Sequence, residues 1–336
     1  MLIKVDIVGG SLSGLSAAIS LKETNPDIDV VVHEKHKTIG YNPEGRRCGE
    51  AHSVEGEWAK WKPVGKSVFN NIYHVETLVG NKQFILERKP GTSCILNRQE
   101  FICQLARDTA KRGAAIQTND KITSVTELDG EYIIDGSGCP STIKRELGLD
   151  TGIKGITYQQ TLEDSNVFIS DTVKIMFIGV FGYYWIFPRD PKKKEVNLGV
   201  GALGNIPYDL KKMLQTFKEE QNITGKVNYV TGGLIPAGLQ RPLRYKNILF
   251  VGDAGVGTFP VTGQGIYRAL ISGDVAGNCI AQGRPEKYPY VINQKFIKWD
   301  VIGKTLIRMN YALQRVGPQA VLASLQYFAS LSDMIH

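Results

Sequence analysis

The chain is poor in cysteine and histidine and has no long apolar run. Its five cysteines (Cys48, Cys94, Cys103, Cys139 and Cys279) contain no C-x-x-C pair. That points to free thiols in a reducing cytoplasm rather than a disulfide framework. Its five histidines (His33, His36, His52, His74 and His336) give no ligand-spaced pair on a helix, so no metal site is expected. The most apolar stretch, Ile175 to Pro188, is fourteen residues long with two glycines, a length that suits buried strands rather than a membrane span. Strand-like alternation begins at Leu2, so no secretory leader is expected. Aromatic–basic interleaving of the kind that stacks single-stranded nucleic acid is missing, as is any internal repeat. Nothing supports Ser-His-Asp hydrolysis.

What is present suits a soluble globular protein. The 336 residues suffice for two or three lobes, with 42% hydrophobic and 22% charged residues. The formal net charge of +7 fits an anionic membrane surface or an acidic electron-transfer protein, and fits equally a mildly basic surface with no partner.

The opening segment carries the most information. Ile3 to Val8 reads as a strand, Gly9-Gly10-Ser11-Leu12-Ser13-Gly14 as a tight turn into a helix, and Val30 to Glu34 as a second strand. This is a dinucleotide-binding βαβ unit. Its helix begins at the glycines, so backbone N–H groups and the positive end of the helix dipole can meet a pyrophosphate. Glu34 lies twenty residues beyond Gly14, at a strand tip where a carboxylate can take both hydroxyls of an adenosine ribose. Ser11 stands where the pattern has its middle glycine, and its small side chain still lets the backbone approach a phosphate.

Further along, residues 35–60 are loop-rich and 61–96 read as a strand-rich insertion. Asn97, with Glu100 three residues later, opens a helix that runs to about Arg112 and ends at Gly113. Strands are expected at Ile122–Val125 and Tyr132–Ile134, the latter leading into the Asp135-Gly136 turn. A β-rich stretch follows, with one helix near Leu210–Gln221 and a solvated turn at Pro191–Lys194. The buried strand Asn247–Val251 ends in Gly252-Asp253-Ala254, and Gly263-Gln264-Gly265 starts another helix. From Pro289 onward the chain reads as helical. The organisation expected is α/β. A Rossmann-type lobe is assembled from 1–60, 97–154 and 241–284. The insertion 61–96, a β-rich substrate (cap) domain at 155–240 and a helical segment at 285–336 complete it.

Two patterns stand apart. Phe181, Tyr183, Trp185 and Phe187 alternate onto one face of a strand, with Val180, Tyr184 and Ile186 on the other. A two-sided buried strand and an aromatic pocket wall both fit. Between Val301 and Arg315, Ile302, Leu306, Met309 and Leu313 recur at helical spacing, largely apart from Lys304, Arg308 and Arg315. That stripe fits an interfacial membrane helix or a helix that caps a core.

The ordered set of the Gly9–Gly14 turn, Glu34, Arg47-Cys48-Gly49-Glu50, Arg98, Asp135-Gly136, Gly182-Tyr183-Tyr184-Trp185-Ile186-Phe187-Pro188, Gly252-Asp253-Ala254 and Gly263-Gln264-Gly265 resembles the FAD-dependent geranylgeranyl reductase family. Within that family it is similar to the archaeal enzymes that saturate geranylgeranyl chains of membrane lipids, over roughly residues 1–280. The glycine turn and Gly252-Asp253 are shared with a wider flavoprotein class; the R-C-G-E and G-Y-x-W-x-F-P pieces are specific.

The resemblance implies FAD as cofactor. Gly9, Gly10, Ser11, Ser13 and Gly14 would hold its pyrophosphate, and Glu34 with Lys35 its adenosine end. Arg47, Cys48, Arg98, Asp135, Gly252, Asp253, Gly263, Gln264, Gly265 and Ile266 would make the remaining contacts. It implies Phe181, Tyr183, Trp185 and Phe187 as substrate wall, with Cys48, Tyr183 and Trp185 at the reacting carbons. Cys48 lies beside Arg46 and Arg47, where positive charge favours a tunable proton donor; a lone cysteine is otherwise a small buried side chain. The implied substrate is an isoprenoid lipid. Electrons would come from ferredoxin or NAD(P)H, because only one dinucleotide fingerprint is visible. The expected location is cytoplasmic, with peripheral contact at the inner face of the cell membrane. Two other functions share the same lobe: a flavin monooxygenase of an aromatic or apolar compound, and an electron-transfer flavoprotein acting on a quinone.

Overall fold

The computed structural model describes residues 3–41, 49–53, 60–177, 182–203 and 208–333, with side chains described as far as Tyr327. In chain order the elements begin with β1 (Lys4–Val8), α1 (Leu12–Thr24), β2 (Asp29–Glu34), β3 (Ala51–Ser53), β4 (Val68–Asn71), β5 (His74–Val79), β6 (Lys82–Glu87), β7 (Ser93–Leu96) and α2 (Arg98–Lys111). They continue with β8 (Ala115–Thr118), β9 (Tyr132–Asp135), α3 (Thr142–Glu146), β10 (Lys154–Glu163), β11 (Thr172–Phe177), β12 (Gly182–Pro188), β13 (Val196–Ala202) and α4 (Leu210–Glu220). Last come β14 (Lys226–Pro236), β15 (Arg244–Tyr245), β16 (Ile248–Phe250), α5 (Gly252–Gly255), α6 (Ile266–Ala281), α7 (Tyr288–Leu313) and α8 (Pro318–Asp333).

These elements fall into two compact units. The first comprises Met1–Asn42, Arg98–Lys154 and Leu234–Lys304, and the second Pro43–Asn97, Gly155–Gly233 and Thr305–His336. In the first unit six strands run in the order β15-β16-β9-β1-β2-β8. β16, β9, β1, β2 and β8 are mutually parallel, and β15 is antiparallel at the edge. The valine-rich run of β2 is buried from Val30 to Val32, as a sheet covered on both faces requires. α1 is built from small residues and leucines and is buried on every side from Leu12 to Leu21, so it belongs inside the layer rather than on its surface. α2 buries the stripe Phe101, Ile102, Leu105 and Ala106.

The second unit joins what the sequence separates. Segments 61–96 and 155–240 form one seven-stranded sheet, ordered β14-β10-β13-β12-β11-β5-β6. The seam is the parallel pairing of β5 with β11, with Val75 opposite Val173 and Thr77 opposite Ile175. Of the stretch before residue 61, the described residues 49–53 and 60 also go with this unit rather than with the nucleotide lobe. One sheet face packs on α4, where Tyr184, Ile186, Leu198 and Val200 meet Leu214 and Phe217. Tyr184 stacks on Phe217 with centroids 4.1 Å apart. A small sheet, ordered β3-β7-β4, lies on the opposite face at one end. There Ile72 and Ile95 pack with Val173, Val75 and Phe187.

Two expectations are corrected. Ile122–Val125 is not a strand: β8 is Ala115–Thr118, and Val125–Glu127 is a turn of 3-10 helix. The cause is local, because Ser124 and Glu127 form a capping box that turns the backbone before a strand can extend. The stripe on α7 is not one face either. Leu306 is buried while Met309 is exposed, and Lys304 ion-pairs with Asp300 at 2.9 Å and donates to the Leu239 carbonyl at 3.0 Å. Among the described residues no helix is long and apolar enough to cross a membrane.

Candidate functional site

The first unit gathers its predicted residues around the start of α1. Gly9 has φ +100°, a conformation that only glycine adopts freely, and a Cβ there would meet the Gly136 carbonyl at 2.7 Å. A Cβ on Gly14 would strike the Gly9 carbonyl at 2.1 Å. The turn between β1 and α1 is therefore bare backbone by necessity. Ser11 does more than keep this turn small. It is the N-cap of α1: its hydroxyl accepts from the Gly14 N–H at 3.3 Å and donates to the Gly136 carbonyl at 3.1 Å.

Glu34 ends β2 with its carboxylate turned onto this turn, accepting the Gly10 N–H at 2.9 Å. Gly252 and Asp253 come to the same place, since a Cβ on Gly252 would lie 2.4 Å from the Ser13 hydroxyl. Asp253 in turn lies at the start of α6, with Oδ1 3.7 Å from where a Gly265 Cβ would stand. Desolvation raises the pKa of Asp253, although part of the residue stays accessible, and the positive charges of Arg98 and Arg268 oppose the shift. Arg98, Asp253 and the Gly263–Ile266 turn thus form one neighbourhood. Asp135 is nearby, but its oxygens accept from Ser137 N–H at 2.9 Å and from the Ser141 hydroxyl. They brace the turn after β9. Gln264 and Lys35 are exposed. Arg47 lies outside the described residues.

The second unit holds the aromatic wall. Phe177, Tyr183, Trp185 and Phe187 form a stair with successive centroid distances of 5.4, 5.9 and 6.4 Å. The strand register places Gly201, Gly199 and Asn197 of β13 beside them, on the same face. The Trp185 indole N–H donates to Gln159 Oε1 on β10 at 3.0 Å. Burial pushes the Tyr183 phenol up to about 12, so it remains protonated at neutral pH. Phe181 and Cys48 lie outside the described residues.

Gly49 of the R-C-G-E piece reaches this wall directly. A Cβ on it would fall 2.6 Å from the Phe187 ring and 3.8 Å from the Trp185 indole nitrogen. A buried polar cluster pins the loop there. Arg189 donates from Nε to Glu50 at 2.6 Å and from Nη1 to Glu195, with its guanidinium 4.2 Å over the Phe69 ring. Asn197 Nδ2 donates to the Gly49 carbonyl at 3.4 Å and to Glu50 at 3.3 Å. Glu50 has φ 65°, a left-handed backbone that this cluster holds in place. Just behind, burial lowers the pKa of His52 to about 4 and raises that of Cys94 to about 12, so both are neutral.

Glu195, Asn197, Gln159 and Arg189 are site residues that the sequence reading missed. Gly199 was missed too, and its place inside a strand was the signal that could have found it, because a strand glycine marks a close approach.

No family model matches the chain. It is 26% identical to a digeranylgeranylglycerophospholipid reductase of Methanocella arvoryzae over 309 residues, covering 81% of this chain and 75% of that one. A solved geranylgeranyl bacteriochlorophyll reductase-like protein of Thermoplasma acidophilum has the same fold, with a TM-score of 0.76 at 20% identity and 96% of each chain covered. CtdE, solved in complex with FAD and a substrate, superposes with a TM-score of 0.65 at 15% identity, over 98% of this chain and 100% of that one. With the glycine turn, Glu34, the R-C-G-E piece and the aromatic strand all in the same order, the chain is similar to the archaeal digeranylgeranylglycerophospholipid reductases along most of its length.

Proposed function

We propose that the protein reduces C=C double bonds in geranylgeranyl chains of archaeal-type membrane lipids, using FAD. The observation that carries the reading is the aromatic stair Phe177–Tyr183–Trp185–Phe187 with Gly49 packed against its end. Such a surface suits an apolar chain with no polar group to grip.

The first unit fits the cofactor. The backbone-only turn at Gly9 and Gly14 leaves room for a pyrophosphate at the start of α1, and Glu34 stands at the strand tip where a ribose is taken. Arg98 and Asp253 would contact the flavin side, and the N-terminus of α6 would face its pyrimidine end. When bound in its reduced form, FAD supplies the hydride for one alkene carbon.

The chain's own residues supply the rest. An isolated alkene is a weak electrophile, so alignment and protonation matter most. The stair orients the prenyl chain and keeps water away. The Trp185–Gln159 hydrogen bond fixes the indole plane. The other carbon needs a proton, and Cys48, next in sequence to Gly49, is assigned as its donor, with the Tyr183 phenol beside the chain. The electron donor is read as ferredoxin or NAD(P)H.

The protein is read as cytoplasmic, meeting the membrane peripherally. Tyr290, Ile297 and Val301 are exposed on the same side of α7, with Lys298 exposed nearby. Flotation with anionic liposomes at low salt tests that contact, and Ile297→Asp/Val301→Asp should abolish it.

For the activity, the test is incubation with dithionite and a geranylgeranyl lipid, followed by mass spectrometry. A gain of two hydrogens per double bond is expected. An unchanged lipid with flavin demonstrably reduced and bound would overturn the reading.

A further inference from the structure

Glu34 has less free acceptor capacity than its position suggests. Its Oε2 accepts the Gly10 N–H at 2.9 Å. Its Oε1 accepts the His36 backbone N–H at 2.9 Å and faces the His36 ring Nδ1 at 2.8 Å. A carboxylate offers about four lone-pair directions. With three engaged, one remains, and it is on Oε2. A ribose diol presents two hydroxyls, so Glu34 by itself is one acceptor short.

The missing acceptor is on the same pair of residues. In the tautomer whose Nδ1–H donates to Glu34, the His36 ring carries its lone pair on Nε2. That Nε2 is buried and has no hydrogen-bond partner among the described residues. A buried acceptor left unmatched is costly, and a hydroxyl donor would satisfy it. It belongs to a ring already tied to the ribose-binding carboxylate. The backbone bond from His36 N–H to the same carboxylate fixes the spacing.

We propose that His36 shares recognition of the adenosine ribose with Glu34: one hydroxyl donates to Glu34 Oε2 and the other to His36 Nε2. The assignment rests on the reading that this lobe holds FAD. It makes His36 a binding residue that no dinucleotide fingerprint contains, because the fingerprint stops at the carboxylate.

The test is titration of the flavin-free protein with FAD, followed by quenching of flavin fluorescence. His36→Phe keeps a flat ring and removes both nitrogens; it should raise the Kd about tenfold, in the range of one lost hydrogen bond. His36→Gln, which restores an acceptor, should recover part of that loss. FAD analogues lacking the 2′- or the 3′-hydroxyl of the adenosine ribose identify the partner. One of them should bind the wild-type protein about tenfold more weakly, and His36→Phe should not weaken that analogue further. If His36→Phe binds FAD as tightly as the wild type, or loses the same factor with FAD and with both analogues, the proposal fails while the cofactor reading stands. A wild-type protein that binds no FAD at all overturns the cofactor reading itself.

Discussion

Trp185 lies across the backbone of Gly199. A methyl group placed on that glycine would come within 2.1 Å of the indole ring, while the indole N–H reaches over β13 to Gln159 on β10 at 3.0 Å. The wall therefore depends on a strand residue with no side chain. β13 presents Leu198 and Val200 to α4, and glycines to the aromatic face.

Gly199→Ala should displace the indole and break its bond to Gln159. Overpacking of this kind costs about 1–3 kcal/mol, and it should appear as a lower urea midpoint with a changed tryptophan emission. Gly201→Ala is the control. Its Cβ would find Thr157 at 3.2 Å and the indole at 3.5 Å, which small shifts accommodate. If the two variants have equal stability and identical emission, the Trp185–Gly199 contact does not hold the wall.

Arg189 bridges two buried carboxylates, Glu50 and Glu195, so removing it takes the same cation from both acids at once. Arg189→Met should destabilise the protein by about 3–5 kcal/mol. Adding Glu195→Gln to that variant should restore part of the loss, since one buried charge then disappears. Chemical denaturation of the three proteins measures both steps. Additive losses would show that Arg189 and Glu195 act independently.

The nucleotide lobe was legible because its signals are local. A glycine turn, the helix it starts and a carboxylate at the next strand tip occupy one continuous stretch of chain. The alternation of Tyr183, Trp185 and Phe187 was legible for the same reason. The cluster around Glu50 was not, because Glu50, Arg189 and Glu195 sit just beyond the ends of β3, β12 and β13 and meet Asn197 only through the register of β12 with β13 and the bend at Gly49. The joining of 61–96 to 155–240 was hidden too. It rests on a parallel pairing of β5 with β11, and parallel strands carry no hairpin signature. The helical stripe at Ile302–Leu313 misled because spacing identifies a face but not which face is buried. Asp300, one turn before Lys304, decided that.

His33 lies between two acids, with Nδ1 2.7 Å from Asp120 and Nε2 3.2 Å from Asp6. Burial works against its charge, but the hydrogen bonds to Asp6 and Asp120 prevail and raise its pKa above the usual value. Burial likewise opposes the charge on Asp6, whose pKa is nonetheless lowered by His33, the Gly130 N–H and Lys4. A histidine with a raised folded pKa stabilises fully below its unfolded value, and the gain is lost as pH rises through the folded one. A depressed aspartate stabilises above its unfolded value and loses that gain as pH falls through its folded one. The pair should therefore contribute most between about pH 4 and pH 6.5. The stability difference between wild type and His33→Gln should be largest near pH 5 and shrink toward pH 8. A difference that grows with pH would mean that the imidazole is neutral in the folded protein.

In the proposed reaction two groups are candidates to protonate the alkene, and their acidities separate them. Burial holds the Tyr183 phenol near 12, which makes it a poor acid at neutral pH. Cys48 follows Arg46 and Arg47, and neighbouring positive charge makes a thiol more acidic. Cys48→Ser should keep the flavin absorbance spectrum and slow alkene reduction at least about tenfold, as loss of a general acid does. Tyr183→Phe should act differently: the ring and its contacts with Phe177 and Trp185 remain, so kcat should change little while KM rises. Single-turnover reduction of the lipid by pre-reduced enzyme, run in H2O and D2O, distinguishes them further. The solvent isotope effect should grow in Cys48→Ser, where a poorer acid makes proton transfer limiting, and stay at the wild-type value in Tyr183→Phe. A Tyr183→Phe enzyme that loses kcat more than the serine variant would reverse the assignment and make the phenol the donor.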